Sequence, residues 1–238
     1  MPAKKRKIRG RRGSPPPRST PPIPKTAPPA GLQGAIFSIS NVLIQSSINS
    51  FGSTAMAGNA AAVNIEGFVF TSCNSVAQAS LTFTRQNLGA GQYKRLRGIT
   101  LWCLALGILL SEILGFIAYG FGNSLLAFYN KDSEVIAMGM IRMMIVGTTY
   151  GLDAIMDIMA DIIRGMGSSV LPMIVTLIGA CGFRVVWIYT IFATHHDLRV
   201  LYISYPISWI LTSLTHIICY FIVKRRRLSG LTEGVPSV

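Results

Sequence analysis

Charged side chains are scarce in this sequence, and acidic side chains are the scarcest. Only 13% of the 238 residues are charged and only nine are Asp or Glu, whereas about a quarter of the residues in a typical soluble domain are charged. Hydrophobic residues make up 50% of the chain, and the mean hydropathy is +0.48. This composition excludes an ordinary soluble globular domain and indicates a polytopic membrane protein.

Motifs for nucleotide hydrolysis and for common hydrolytic enzymes are also lacking. The sequence contains no G-x-x-x-x-G-K-[ST] loop, no H-E-x-x-H zinc signature and no G-x-S-x-G nucleophile elbow. The cysteines Cys73, Cys103, Cys181 and Cys219 lie far apart in apolar runs, which indicates buried thiols rather than zinc ligands or disulfides. We therefore expect a protein that is not an enzyme and that has no metal site and no bound cofactor.

The net charge of +13 is carried mainly by the two ends of the chain. Nine of the 22 basic residues lie in the first 25 positions, and four more form a block at positions 224–227. Residues 1–30, which are also rich in proline, are predicted to form a disordered tail that lies against anionic lipid. Their KKRK run resembles a nuclear import signal, an alternative that does not suit a chain with many membrane spans. Because the hydrophobic body is nearly neutral, no nucleic acid is expected as a partner.

Six segments are long enough to cross the hydrocarbon of a bilayer at about 1.5 Å per residue. They lie at about 31–50, 58–83, 99–121, 135–162, 171–193 and 201–223. We therefore predict an all-α fold in which residues 31–228 form a six-helix transmembrane lobe and residues 229–238 form a short tail. Basic residues concentrate after the second, fourth and sixth segments, so the positive-inside rule predicts that both termini are cytoplasmic.

Acidic residues inside these segments are the main functional candidates, because a charge at the bilayer centre costs about 2.5–3.5 kcal/mol on the insertion scale. Asp153, Asp157 and Asp161 recur at every fourth position of the fourth segment, which places successive carboxylates about 5–6 Å apart on one helix face. Carboxylates that close favour binding of a proton or another cation. Asp161 has an alternative partner in Arg164, whereas Asp153 has no basic residue within one turn and is the leading candidate. Glu66 in the second segment is a further one.

Amide side chains form polar surfaces on the first two segments. Asn41, Gln45 and Asn49 follow one another at every fourth position of the first segment, and Asn74 and Gln78 do so in the second. Such a surface suits either hydrogen bonding between packed helices or the wall of a water-filled cavity. For the first segment both interpretations stay open, whereas the larger number of polar groups in the second favours a cavity.

Other polar and small residues of the segments have more than one interpretation. Arg142 and Arg184 are candidate counter-ions for the carboxylates, and Glu112 is a candidate relay group or an interfacial residue. Gly147 and Gly151, four positions apart, permit close helix packing or a bend just before the aspartates.

Two loop motifs and their places along the chain carry a resemblance to a known family. The sequence QNLGAGQY at positions 86–93 follows the second segment, and RGMGSS at positions 164–169 follows the fourth, with Pro172 shortly after. With both motifs in this order, residues from about Pro29 to Leu228 resemble the C-terminal half of a multidrug and toxic compound extrusion (MATE) transporter. The resemblance implies one six-helix lobe of a twelve-helix protein.

The resemblance also implies roles for particular residues. In family members an acidic residue eleven positions before the arginine of the second motif takes part in cation binding, and Asp153 holds that place relative to Arg164. Glu66 is similar in position to a glutamate that some members use in the second helix of the lobe. A glutamate that others use in the first helix has no match here, because the corresponding residues 37–40 read FSIS.

The function that this resemblance implies is secondary active antiport, in which cationic amphiphilic drugs are exported in exchange for H⁺ or Na⁺. It implies a multi-pass protein of the plasma membrane, with a second six-helix lobe or a second copy of the chain as a partner. Two alternatives stay open. One is a membrane fragment or accessory subunit without transport activity, and the other is a flippase for lipid-linked precursors, which would require a larger and more basic cavity.

Overall fold

The computed structural model describes the backbone of residues 27–232 and the side chains of residues 35–226. Within these ranges every regular element is helical. The α-helices are α1 (Ala27–Asn49), α2 (Ser53–Gly89), α3 (Arg95–Gly120), α4 (Gly122–Tyr129), α5 (Ser133–Ile145), α6 (Tyr150–Gly165), α7 (Val170–Thr176), α8 (Phe183–Trp187) and α9 (Leu198–Thr232). The all-α prediction is confirmed for this part of the chain.

The helices follow the six predicted segments in order, with α5 and α6 together forming the fourth and α7 and α8 the fifth. In the described part of the chain, four segments are long and apolar enough to cross a bilayer: Arg95–Gly120, Ser133–Gly165, Val170–Phe192 and Leu198–Arg226. Helix α2 is long enough, at 37 residues, but is more polar. Most of the two predicted tails lies outside the described residues, although α1 already begins at Ala27 and α9 continues to Thr232.

The outer surface of the lobe is apolar on three of its segments. Helix α3, the α7–α8 segment and α9 each expose large hydrophobic side chains, among them Leu101, Trp102, Leu106, Ile178, Val186, Ile210, Leu214 and Phe221. In water these side chains would be unfavourable, whereas in hydrocarbon they match the solvent. All four cysteines are buried and free, as their apolar surroundings in the sequence predicted.

Helix α6 lies at the centre of the lobe and packs against α2, α3 and α9. The chain enters it through a break in the fourth segment: α5 ends at Ile145, residues Gly147–Thr149 form a single 3₁₀ turn, and α6 begins at Tyr150. Broken helices of this kind are common where transporters bind ions, because the freed helix end carries unpaired backbone groups.

Helix α3 holds this break in place by two contacts. Gly115 packs directly against the carbonyl group of Gly147, where a Cβ atom on Gly115 would overlap the oxygen. The Glu112 carboxylate accepts a hydrogen bond of 2.9 Å from the backbone N–H of Gly151, in the first turn of α6. Gly147 and Gly151 therefore provide both of the features predicted for them, a change of helix direction and a close helix contact.

The fifth segment is irregular in a different way. Two π-helical stretches, Leu177–Gly182 and Ile188–Phe192, lie on either side of the short helix α8. A π-helical turn rotates the following side chains relative to a regular α-helix, and such turns are frequent at functional sites. Here the pair flanks the helix that carries the buried Arg184.

Candidate functional site

A cavity of about 430 Å³ lies within the lobe, between α1, α2, the broken fourth segment, α8 and α9. Its volume is within the range of small-molecule sites. The polar and aromatic part of its wall comprises Asn41, Gln45, Asn59, Arg142, Tyr150, Asp153, Arg184, Tyr205 and Trp209. The cavity thus combines charged groups, amides and aromatic rings inside a hydrophobic helical body.

A buried ion pair joins Arg142 of α5, which lines this cavity, to Glu66 of α2 behind it. Arg142 and Glu66 are only 6% and 2% exposed. The Arg142 Nη2 donates to Glu66 Oε2 at 2.8 Å, and Nε donates to the same carboxylate at 3.0 and 3.2 Å. The Arg142 Nη1 donates to Asn59 Oδ1 at 3.1 Å, and the Tyr150 hydroxyl donates to Glu66 Oε2 at 3.4 Å. Glu66 therefore neutralises Arg142, one of the two candidate counter-ions.

The amide surface of α1 is joined to this ion pair by a chain of hydrogen bonds. Asn59 Nδ2 donates to Gln45 Oε1 at 3.3 Å, and Gln45 Nε2 donates to Asn49 Oδ1 at 3.0 Å. Asn41 and Gln45 also line the cavity. Two interpretations were left open for this surface, interhelical hydrogen bonding and a cavity wall. Gln45 does both, since it accepts a hydrogen bond from Asn59 of α2 and lines the cavity.

Asp153 occupies the first turn of α6, directly after the break. The side chain lines the cavity and is only 5% exposed. Its Oδ2 atom is buried and has no hydrogen-bond partner among the described residues. The N-terminal end of a helix carries a partial positive charge, so the break places this carboxylate where a negative charge is partly compensated.

The other two aspartates of α6 have different surroundings. Asp161 forms an ion pair with Arg164, with 2.6 Å between Oδ1 and Nη1, which confirms the alternative partner predicted for it. Asp157 is half-buried one turn beyond Asp153 and is not part of the wall of this cavity. Of the three aspartates, Asp153 is therefore the one whose side chain lines this cavity.

Neither Asn74 nor Gln78 contributes to the wall of this cavity; Asn74 is half-buried and Gln78 exposed. Several hydroxyl groups of α2 are instead satisfied within the helix. Thr71 donates to the Gly67 carbonyl at 2.8 Å and Thr82 to the Gln78 carbonyl at 3.0 Å. Hydrogen bonds of this kind let a polar helix exist without a second partner, so the number of polar groups on α2 does not by itself require a cavity beside all of them.

An aromatic site around Arg184 was not predicted. The guanidinium carbon lies 4.1 Å from the centre of the Tyr205 ring and 5.8 Å from that of Trp209, and Nε donates to the Ser208 Oγ at 3.0 Å. Tyr205 and Trp209 are four positions apart on α9, so they lie on one helix face. That spacing is the signal in the sequence that could have indicated the site.

One charged side chain of the cavity wall, Arg142, is paired with a carboxylate, whereas two others, Asp153 and Arg184, are in no ion pair within residues 35–226. Among the described residues, the ion pairs are Arg142–Glu66 and Arg164–Asp161. Asp153 and Arg184 both line the cavity but do not form such a pair. The cavity therefore presents one carboxylate and one guanidinium that are each available to a bound molecule.

Comparison with known proteins identifies relatives of this arrangement of helices. A family model described as MatE matches residues 29–190. The chain is 24% identical over 150 residues to the probable multidrug resistance protein NorM of Thermotoga maritima, covering 63% of this chain and 32% of that protein. It is 21% identical over 207 residues to the probable multidrug resistance protein YoeA of Bacillus subtilis, covering 86% and 45% respectively. The chain thus spans 32% to 45% of the length of these curated relatives.

Solved structures show the same fold. The Vibrio cholerae MATE transporter VcmN in its bent form matches with a TM-score of 0.74 at 17% identity, over 84% of this chain and 45% of VcmN. An outward-facing multidrug resistance MATE transporter of the MOP superfamily matches with a TM-score of 0.74 at 15% identity, over 84% and 44%. The coverage fits one half of such a transporter. The chain therefore belongs to the MatE family and is a multi-pass membrane protein with the helical fold of half a MATE transporter.

Proposed function

We propose that this chain is the C-terminal six-helix lobe of a secondary active antiporter that exports cationic amphiphilic compounds in exchange for H⁺ or Na⁺. The observation that carries the proposal is the Asp153 carboxylate, which is buried, lines the cavity and has a partnerless oxygen among the described residues. A buried carboxylate without a partner is unfavourable unless it binds a proton or a cation. Asp153 can therefore be occupied by a proton, a sodium ion or the cationic group of a substrate.

Competition for one site couples two fluxes. When a proton occupies Asp153, the negative charge that attracts a cationic substrate is lost, and the substrate is released. When the substrate binds, the proton is displaced. Because the two ligands change each other's affinity by the same factor, either gradient can drive the other. The aromatic rings of Tyr150, Tyr205 and Trp209 would contact the apolar part of such a substrate.

Glu66 has a supporting role in this proposal. Its carboxylate is held by Arg142 at 2.8 Å, so it compensates that guanidinium and leaves Asp153 as the acidic group that faces the cavity unpaired. Asp157, one turn away, would relay protons between the cavity and the cytoplasmic end of α6.

The proposal extends to the membrane and to the partner. We place the protein in the plasma membrane with both termini in the cytoplasm, as the distribution of basic residues predicts. Alternating access requires one lobe to move against another. We therefore propose that a second six-helix lobe, on another chain or a second copy of this one, completes the transporter.

Binding of a fluorescent organic cation to the purified chain in lipid nanodiscs tests the assignment of Asp153. The affinity of the unaltered chain should fall as the pH is lowered if the competing ion is a proton, or as the sodium concentration is raised if it is Na⁺. For Asp153→Asn we expect at least about tenfold weaker binding that no longer depends on either ion, because the neutral amide attracts no cation. Asp132→Asn is the matched control, since Asp132 caps α5 outside the cavity and Asn caps a helix equally well.

Two results would contradict the proposal. One is wild-type affinity and wild-type ion dependence in Asp153→Asn. The other is an equal loss of binding in Asp132→Asn, which would show that the effect is not specific to the cavity. Vesicles that contain the chain, with proton and sodium gradients applied separately, then show whether it transports alone or only with a second lobe.

A further inference from the structure

Arg184 is a buried cation that has donors to offer a ligand. The side chain is 6% exposed and lines the cavity. Its hydrogen bond in the described part of the chain runs from Nε to the Ser208 Oγ, so neither terminal nitrogen has a protein partner there. Because the side chain lines the cavity, a molecule bound there can accept hydrogen bonds from these nitrogens.

The surroundings of Arg184 fix its orientation. Tyr205 lies 4.1 Å from the guanidinium carbon, so an aromatic ring covers one side of the planar group, and the Ser208 hydroxyl holds Nε at 3.0 Å. The N–H groups of a guanidinium project from its edge, in a fork that matches the two oxygens of a carboxylate. With Nε bound to Ser208, the two terminal nitrogens remain as the edge of the group that can bind a carboxylate.

The balance of charge in the cavity restricts which ligands suit it. Glu66 neutralises Arg142, whereas Asp153 and Arg184 are opposite charges that line the same cavity without forming a direct ion pair. A simple cation bound to Asp153 would leave the Arg184 charge uncompensated inside the lobe. A molecule that carries both a cationic group and a carboxylate would compensate both.

We propose that Arg184 binds the carboxylate of a zwitterionic amphiphile whose cationic group is bound at Asp153. This inference rests on the proposed function and narrows its substrate class from cationic amphiphiles in general to those that also carry an acid. The cavity volume of about 430 Å³ accommodates a drug-sized molecule with its two charged ends apart. A purely structural Arg184, held only by Ser208 and Tyr205, would show no preference for an acid over its ester.

A matched pair of dyes separates these interpretations. The probes are a rhodamine with a free benzoate and the methyl ester of the same dye, which share one cationic ring system and differ only in the carboxylate. Binding of each to the purified chain in nanodiscs is measured by fluorescence anisotropy. We expect the unaltered chain to bind the acid at least about tenfold more tightly than the ester, because a bidentate bond to a buried guanidinium is charge-assisted.

Variants assign this preference to Arg184. Arg184→Gln should abolish the preference for the acid by weakening the binding of the acid dye alone. Arg184→Lys should preserve part of the preference, because the positive charge remains but the planar fork of N–H groups is lost. Arg199→Gln removes a positive charge from the exposed first turn of α9, away from the cavity, and should leave the preference unchanged. Size-exclusion chromatography and circular dichroism report whether each variant folds.

Equal affinity for acid and ester in the unaltered chain would overturn the inference, and so would an equal loss for both dyes in Arg184→Gln. Should Arg184→Gln fail to fold, the ratio of the acid affinity to the ester affinity, compared between the unaltered chain and Arg184→Lys, decides whether the inference holds. The Asp153→Asn variant separates this inference from the proposed function. If it leaves both dyes unaffected while Arg184→Gln removes the preference, the proposed coupling fails and the carboxylate site stands. If Asp153→Asn weakens the binding of both dyes while Arg184→Gln leaves the preference unchanged, the carboxylate site is refuted and the proposed coupling stands.

Discussion

Removing one partner of the buried Glu66–Arg142 ion pair should destabilise the lobe severely. Glu66→Gln keeps the shape of the side chain but withdraws the charge that three contacts of 2.8 to 3.2 Å bring to Arg142. The guanidinium would retain only neutral partners: the Asn59 oxygen at 3.1 Å, the glutamine oxygen, and the rings of two tyrosines. Breaking a buried pair from one side costs about 3–5 kcal/mol, because the remaining charge stays desolvated.

A double variant isolates the charge as the cause. In Glu66→Gln with Arg142→Met no buried charge remains, and the neighbouring polar groups keep partners. Asn59 Oδ1 still accepts the hydrogen bond of 3.1 Å from the Tyr202 hydroxyl, and the glutamine oxygen replaces the acceptor of Tyr150. We therefore expect the double variant to recover most of the loss, to within about 2 kcal/mol of the unaltered chain.

Reversible unfolding in mixed micelles of increasing SDS content, followed by circular dichroism, gives the free energy of unfolding for each variant. The Arg142→Met single variant completes the double-mutant cycle. A cost below about 1 kcal/mol for Glu66→Gln would show that the guanidinium is hydrated or has moved. If the two single losses simply added in the double variant, the pairing itself would have no energetic role, and the reasoning from the buried pair would be refuted.

Two further predictions concern the contacts that hold the break before α6. Gly115→Ala should destabilise the lobe by about 1–3 kcal/mol, because its Cβ would overlap the Gly147 carbonyl oxygen; Gly98→Ala on the same helix, where nothing lies within 4 Å of an added Cβ, should be neutral or slightly stabilising in the same SDS titration. Glu112→Ala should cost about 1 kcal/mol by removing the acceptor of the Gly151 N–H, whereas Glu112→Gln should cost less since it keeps an oxygen there. Equal losses in either matched pair would contradict the assignment.

The helical segments and their order could be predicted because hydrocarbon thickness dictates the length of an apolar run. Local pairings were accessible for the same kind of reason: Asp161 and Arg164 lie three positions apart on one helix and meet at 2.6 Å whatever the rest of the fold does. The break at Gly147 and Gly151 also follows from a local property, since two small residues on one face permit a helix to bend and a neighbour to approach.

The electrostatic assignment of the cavity could not be predicted. Glu66 and Arg142 are 76 positions apart, and Arg184 meets Tyr205 only because α8 and α9 pack side by side. Each carboxylate had two possible arginines in the sequence. Which pair formed determined whether Asp153 would be neutralised or available.

The sequence alone thus determined that the chain lies in a bilayer, which segments are helical, and that Asp153 is the acidic residue to examine. Only the tertiary structure decided that Glu66 compensates Arg142, that Arg184 is held by aromatic rings, and that Asp153 and Arg184 line one cavity without forming an ion pair. Hydropathy constrains a helix along its axis, whereas the contacts between side chains depend on the rotation and register of each helix against its neighbours. In lipid those are set by close packing and hydrogen bonding rather than by the hydrophobic effect.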